Sequence, residues 1–219
     1  MDDWFPLWLS LRVATTATLV AAVLGIALAY LLAKGRFRGR ALLEAIVTIP
    51  IVLPPTVLGY YLLTTVGVNS PIGRAWEGLF GSPLVFTANA AIVAATVSAL
   101  PFVVRTARAA IESVDHRIEA VARVAGHPEW RVAALVTLPS ARRGLTAGVA
   151  LGFARALGDF GATIMVAGNI PGRTQTLPIA IYDAVQVGDH STARTGSLLL
   201  AGVAVVVLLA ISQYSTRPA

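Results

Sequence analysis

The sequence predicts an all-α membrane protein of about five transmembrane helices, and three observations carry that prediction. Of 219 residues, 56% are hydrophobic and only 13% are charged, where soluble domains run near a quarter charged. Mean hydropathy is +0.75. The apolar residues fall in continuous runs of the ~20 residues a helix needs to cross ~30 Å of hydrocarbon, without the period-two alternation of a barrel.

The runs come in order. Residues 13–33 and 45–68 form the first two, 83–104 the third and 195–215 the last. Residues 144–168 are also apolar but carry Arg155 and Asp159 near their centre, and they count as the fourth span. Lys34, Arg36, Arg38 and Arg40 crowd the first connection. Arg105, Arg108, Arg117, Arg123, Arg131, Arg142 and Arg143 crowd the long one between the third and fourth spans. The other two connections hold only Arg74, and Arg173 with the boundary residue Arg194. Positive charge marks the cytoplasmic side, so the N-terminus with Asp2 and Asp3 is expected outside and Arg217 inside. Residues 1–6 lack a basic n-region, so the first run is expected to be retained. A net charge of +6 does not argue for nucleic acid, because the basic residues sit in short connections and not along one soluble face. The absence of cysteine excludes disulfides, thiolate metal sites and a Cys nucleophile.

Within the long inner connection, Val114-Asp115-His116 and Gly126-His127-Pro128-Glu129 interrupt helical patterning. Between them Ile118, Val121, Ala122 and Ala125 recur at i, i+3, i+4 and i+7, which predicts a short amphipathic helix ended by Gly126. Such a helix either lies on the bilayer surface or docks a cytoplasmic partner, and spacing does not choose. Pro50, Pro54 and Pro55 interrupt the second span. They predict a broken helix facing the bundle interior, with a plain kink as the other reading, because lipid cannot satisfy the carbonyls that proline frees. Gly168 to Thr174 reads as a turn-rich outer loop, followed over 177–187 by a short helix with Pro178 at its start, suited to capping the bundle or receiving a soluble partner.

Arg155 and Asp159, at i and i+4, are placed to pair, and either charge alone in lipid would cost several kcal/mol. The pair either fixes helix packing or lines and gates a pathway. Gly152, Gly158 and Gly161 around it permit close helix approach. Enzyme readings find little support: His116, His127 and His190 lie in connections without a second ligand at metal spacing, and no G-x-S-x-G occurs. No catalytic or metal-binding residue is predicted. An intramembrane enzyme or scaffold built on Arg155 and Asp159 is the remaining reading outside transport.

The stretch Glu119-Ala120-Val121-Ala122-Arg123-Val124-Ala125-Gly126, followed by Val136, Leu138 and Pro139, resembles the EAA loop of ABC-importer permeases. Counting back from Gly126, the signature glutamate falls on Ala120; Glu119 lies one residue earlier, and Val121 replaces an alanine. Ile49 to Tyr60, which includes Pro50, Pro54, Pro55 and Gly59, and Phe153 to Thr163, continuing to Tyr182, resemble the molybdate-type branch, close to sulfate and tungstate permeases. The resemblance implies a single permease domain over 1–219 with the type I, molybdate/methionine-like importer fold and a coupling loop at about 112–140. It implies ATPase coupling through Glu119, Ala120, Val121, Ala122, Gly126, Leu138 and Pro139. A path or gate would involve Pro50, Pro54, Pro55, Gly59, Arg155 and Asp159, and a binding protein would meet Asn169, Pro171, Gly172 and Arg173. The implied assembly is a homodimer in the cytoplasmic membrane, in contact with lipid, with two cytoplasmic ABC ATPase subunits and an extracytoplasmic oxyanion-binding protein. The chain itself has no G-x-x-x-x-G-K-[ST] loop, so ATP and Mg belong to the ATPase. Molybdate, with tungstate beside it, is the expected cargo, and sulfate or thiosulfate the alternative.

Overall fold

Helix is the only regular structure that apolar runs of this length form in the computed structural model, which describes residues 4–216. Asp2, Asp3 and Arg217, which entered the orientation argument, lie outside the described residues. The helices are α1 (Phe5–Lys34), α2 (Arg40–Val52), α3 (Pro55–Val66), α4 (Pro71–Phe80), α5 (Ala88–Glu112), α6 (His116–Val124), α7 (Glu129–Val132), α8 (Leu138–Leu157), α9 (Gly161–Ala167), α10 (Leu177–Gln186) and α11 (His190–Thr216), with a π-helical turn (Ala133–Thr137) between α7 and α8.

Three helices, α1, α5 and α11, are long and apolar enough to cross a membrane alone. The expected second and fourth spans are each broken: α2 and α3 meet at 119°, and the α7–α8 helix meets α9 at 58°. Each pair still crosses the bundle. Arg108 of α5 reaches Glu44 of α2 at 2.6 Å, which puts the start of α2 beside the end of α5. Val66, at the end of α3, packs with Leu84 and Val85 just before α5 begins. Likewise Gly144 near the start of α8 faces Ala110 of α5, while Val166 of α9 accepts a hydrogen bond from the Phe86 amide at 2.9 Å. Five crossings result, as the sequence predicts. One end of the bundle gathers Lys34, Arg40, Arg108 and α6 and is the basic end; α4, the 168–176 loop and α10 sit at the opposite end.

The inner connection differs from expectation. It is helical for most of its length, because α5 continues to Glu112 and a helix resumes at Glu129. The ion pair Arg108–Glu112, at 2.8 Å and i,i+4, supports that last turn of α5 beyond the apolar run. Helix α4 was not foreseen. Ser70 caps it by accepting from the Gly73 amide at 2.8 Å, Pro71 opens it, and Gly81 ends it in the left-handed region.

Small residues build the core. Ala14, Ala17 and Ala21 of α1 and Ala90, Ala91, Ala94, Ala95 and Ala99 of α5 are buried together. A Cβ at Gly148 would come within 3.2 Å of Thr106, and one at Gly152 within 2.7 Å of Val103. With Gly144 these residues form a ridge of small residues at every fourth position along α8, pressed against α5. Close backbone approach of this kind drives helix association where lipid supplies no hydrophobic force.

Candidate functional site

The two broken spans meet one another. Pro54 and Pro55 fall at the break, as N-cap and first residue of α3, while Pro50 stays inside α2. The second break follows Gly158, and Asp159 lies in it, beyond the end of α8. This corrects the expectation that Arg155 and Asp159 share one helix, yet the pair forms, with Arg155 Nη1 2.9 Å from Asp159 Oδ1. A Cβ at Gly161 would lie 2.8 Å from Pro55 Cβ, and one at Gly59 would lie 2.6 Å from Met165 Cβ and 2.9 Å from Ala162 Cα. Breaks and glycines therefore lock α3 onto α9. Gly158 meets only its own helix, at Ala154 O, and does not serve helix approach as expected.

Beside this contact opens a cavity of about 440 Å³, lined by Pro50, Pro55, Thr56, Phe102, Arg155 and Asp159 among others. The Arg155 side chain is 25% exposed into it, that of Asp159 1%. Asp159 is satisfied on every side. Oδ1 also accepts from Ser98 Oγ at 3.0 Å, and Oδ2 accepts from the Thr163 amide at 3.0 Å and hydroxyl at 2.7 Å. It caps α9 while neutralising Arg155, whose side chain lines the cavity. Ser98 and Thr163 were missed by sequence reading. Gly158-Asp159, a helix stop followed by a capping residue, was the available signal.

At the basic end, α6 is inverted relative to an ordinary surface helix. Asp115 caps it by accepting from the Arg117 amide at 2.8 Å. Its apolar residues point outward, Ile118 53% and Val121 70% exposed, while Glu119 is buried. Lys34 Nζ lies 2.8 Å from Glu119 Oε1, Thr137 Oγ1 donates to Oε1 at 2.7 Å, and His116 and Arg123 approach Oε2 at 3.5 and 3.7 Å. Burial pushes the Glu119 carboxyl up, but the hydrogen bonds from Lys34 and Thr137 and the Lys34 charge outweigh it and hold the pKa below the ordinary carboxylate value. Ala120, Val121, Gly126 and Pro139 are exposed, Ala122 and Leu138 half-buried. Gly126, at φ 85°, closes α6: its amide donates to Arg123 O at 2.9 Å and the His127 amide donates to Ala122 O at 3.2 Å, the paired bonds of a Schellman end. At the opposite end Asn169, Pro171, Gly172 and Arg173 are all exposed, on a loop tied at its base by three amides donating to Ile170 O.

Residues 21–217 match the family described as binding-protein-dependent transport system inner membrane component. The chain is 40% identical over 216 residues to the molybdenum transport system permease protein ModB of Escherichia coli K12, covering 98% of this chain and 94% of that one. It is 39% identical over 212 residues to the putative molybdenum transport system permease protein YvgM of Bacillus subtilis, covering 97% and 93%. To the E. coli sulfate transport system permease protein CysT it is 33% identical over 204 residues, covering 93% and 73%. Among solved structures, the inward-facing MetNI methionine ABC transporter superposes with TM-score 0.76 at 22% identity, covering 99% of this chain and all of that one. A bacterial ABC transporter that imports alginate superposes with TM-score 0.75 at 17% identity, covering 97% and 78%. The expected type I importer fold is therefore the observed one. Lying across nearly the whole sequence, with two broken spans and an outward-facing apolar helix at the basic end, these likenesses place the chain in the family of binding-protein-dependent transport system inner membrane components.

Proposed function

We propose that the chain is the membrane-spanning subunit of an ATP-driven importer for molybdate, with tungstate as a second tetrahedral oxyanion of the same charge. The observation that carries the cargo is 40% identity, nearly end to end, to a molybdenum permease, against 33% to a sulfate permease. The chain acts as a homodimer, with the basic end in the cytoplasm by the positive-inside rule. Two ATPase subunits bind the outward faces of α6, and a binding protein delivers the oxyanion at the Asn169–Arg173 loop. The chain hydrolyses nothing itself.

The geometry supports a stepwise path. A doubly charged oxyanion needs a site free of uncompensated negative charge, and the Asp159 carboxylate is neutralised by Arg155 and buried behind three other donors. The Arg155 face left toward the cavity offers fixed donors of a geometry that suits tetrahedral oxygens. Because α3 and α9 touch at Gly59 and Gly161, the breaks move as one unit, which suits a gate opened by rocking of spans. The test is uptake into vesicles carrying this chain, its ATPase and the binding protein. ATP-dependent molybdate accumulation, competed by tungstate and weakly by sulfate, is expected. Accumulation of sulfate in preference to molybdate would assign the alternative cargo, and no accumulation of either would remove the transport reading.

A further inference from the structure

Among the described residues, Glu119 and Asp159 are the two buried charges. Asp159 belongs to the cavity. Glu119 has no part in it, and its burial needs its own explanation, because a nine-residue helix on the edge of the bundle has solvent available on most sides. An ionised carboxylate held out of water is costly unless it is paired and hydrogen-bonded, and an apolar residue of similar size would serve stability as well or better. What a paired buried charge provides is a fixed geometry.

The partners lie where that geometry counts. Lys34 is the last residue of α1, a 30-residue span. Thr137 is the last residue of the π-helical turn that leads into α8, and it is completely buried. π-turns inside helices concentrate at functional positions. Apart from α7 and the π-turn, which adjoin it in sequence, no helix packs extensively along α6. The tie from α6 to the spans therefore runs largely through one carboxylate: Oε1 bound by Lys34 and Thr137 together, Oε2 bound by Lys34 at 2.9 Å.

We propose that Glu119 is a positioning residue that passes displacement of α6 to α1 through Lys34 and to α8 through Thr137, while the exposed face with Ile118 and Val121 does the docking. This reassigns Glu119 from a residue expected to meet the ATPase to an internal post behind the docking surface. The inference rests on the transporter reading above.

The test uses the complete transporter in vesicles and reads molybdate taken up per ATP hydrolysed. In Glu119→Gln and in Lys34→Met/Glu119→Met the ratio is expected to fall about tenfold, the loss of roughly one charge-assisted interaction from the driven state, with hydrolysis within about twofold of wild type. Lys34→Arg keeps the ratio within about twofold, since it retains charge and donors. The double variant separates the roles: a merely structural ion pair predicts that it transports normally, because no charge is left buried alone. A wild-type ratio in the assembled double variant overturns the proposal, as does an equal loss of hydrolysis and uptake. If Glu119→Gln does not assemble, Thr137→Val keeps the ion pair and is expected to lower the ratio severalfold; an unchanged ratio counts against the proposal. A wild-type complex that hydrolyses ATP while moving neither molybdate nor sulfate removes the transport reading and leaves the post to amide hydrogen exchange across residues 116–124. That exchange is expected to quicken about tenfold in Glu119→Gln, where Lys34 loses its counter-charge, and equal exchange overturns the post as well.

Discussion

In the Asp159→Asn variant one carboxylate oxygen becomes an amide that donates where the native oxygen accepts. The wild-type side chain is 1% exposed, accepts three hydrogen bonds, one on Oδ1 and two on Oδ2, and pairs with Arg155 at Oδ1. If the new amide faces Thr163, the hydroxyl rotates away but the backbone N–H cannot, and an orphaned buried donor costs about 1–3 kcal/mol. If it faces Arg155 and Ser98, the guanidinium loses its counter-charge. The usual penalty for that is about 3–5 kcal/mol, reduced here to about 2 because the Arg155 side chain is 25% open to the cavity. Either way the subunit loses about 1–3 kcal/mol. Denaturant titration of the purified chain in detergent measures it, and a midpoint equivalent to less than about 0.5 kcal/mol of change would refute the reasoning. The double variant Arg155→Met/Asp159→Asn removes the stranded charge and should recover about half of the loss. Uptake then separates two roles for Arg155. A double variant that assembles and transports normally assigns the pair to structure; one that assembles and transports poorly assigns Arg155 to the anion path.

Three other outcomes follow from the geometry. Gly59→Ala places a Cβ against Met165 Cβ and Ala162 Cα and should cost about 1–3 kcal/mol in the same titration, whereas Gly202→Ala, with nothing within 4 Å, should cost nothing. The Glu119 carboxyl has its pKa lowered by folding, so its contribution to holding α6 is complete above the unfolded value near 4.5 and is lost as pH falls through the folded value. Protection against hydrogen exchange across residues 116–124, taken relative to the intrinsic rate at each pH, should therefore be lost in the wild type as pH falls below the unfolded value, and Glu119→Gln should show no such step. With no native cysteine to interfere, Asn169→Cys should react with an impermeant reagent in intact cells and Gly126→Cys should not; the reverse pattern would invert the proposed orientation.

The fold was legible wherever composition or punctuation speaks locally. Five apolar runs gave five crossings, and Pro54 and Pro55 gave the break between α2 and α3, while Pro50 is accommodated inside α2. The α8–α9 break was not read, although Gly158-Asp159 is a stop followed by a cap, because the run from 144 to 168 stays apolar through it. Gly144, Gly148 and Gly152 stand at intervals of four, a spacing that marks a close-packing face without naming α5 as its partner. Helix α4 was hidden in a connection too short and mixed for a periodic signal. At the site, the Arg155–Asp159 pair was readable from spacing, while Ser98 lies 61 residues from Asp159 and has no signature of its own. Lys34 lies 85 residues from Glu119, so nothing local announces their contact. The helical period placed Ile118, Val121 and Ala122 on one face correctly; it could not say that this face is turned outward, which depends on Glu119 finding its partners inside.

These observations converge on α8. It runs from Leu138 to Leu157, a rod of ~30 Å by helical rise, and a buried carboxylate stands at each end. At the basic end Thr137, immediately before the rod, binds Glu119; at the other, Asp159, two residues after it, binds Arg155 and caps α9. Between the two knots the rod meets α5 through glycines, where backbones approach closely. A helix hardly compresses along its axis, so on the coupling proposed above a shift imposed on α6 at one knot would reach the α8–α9 break at the other. There Gly161 pressed on Pro55, and Gly59 on Met165, pass it to the α2–α3 break. On that proposal the two buried charges are the two points at which α8 is gripped.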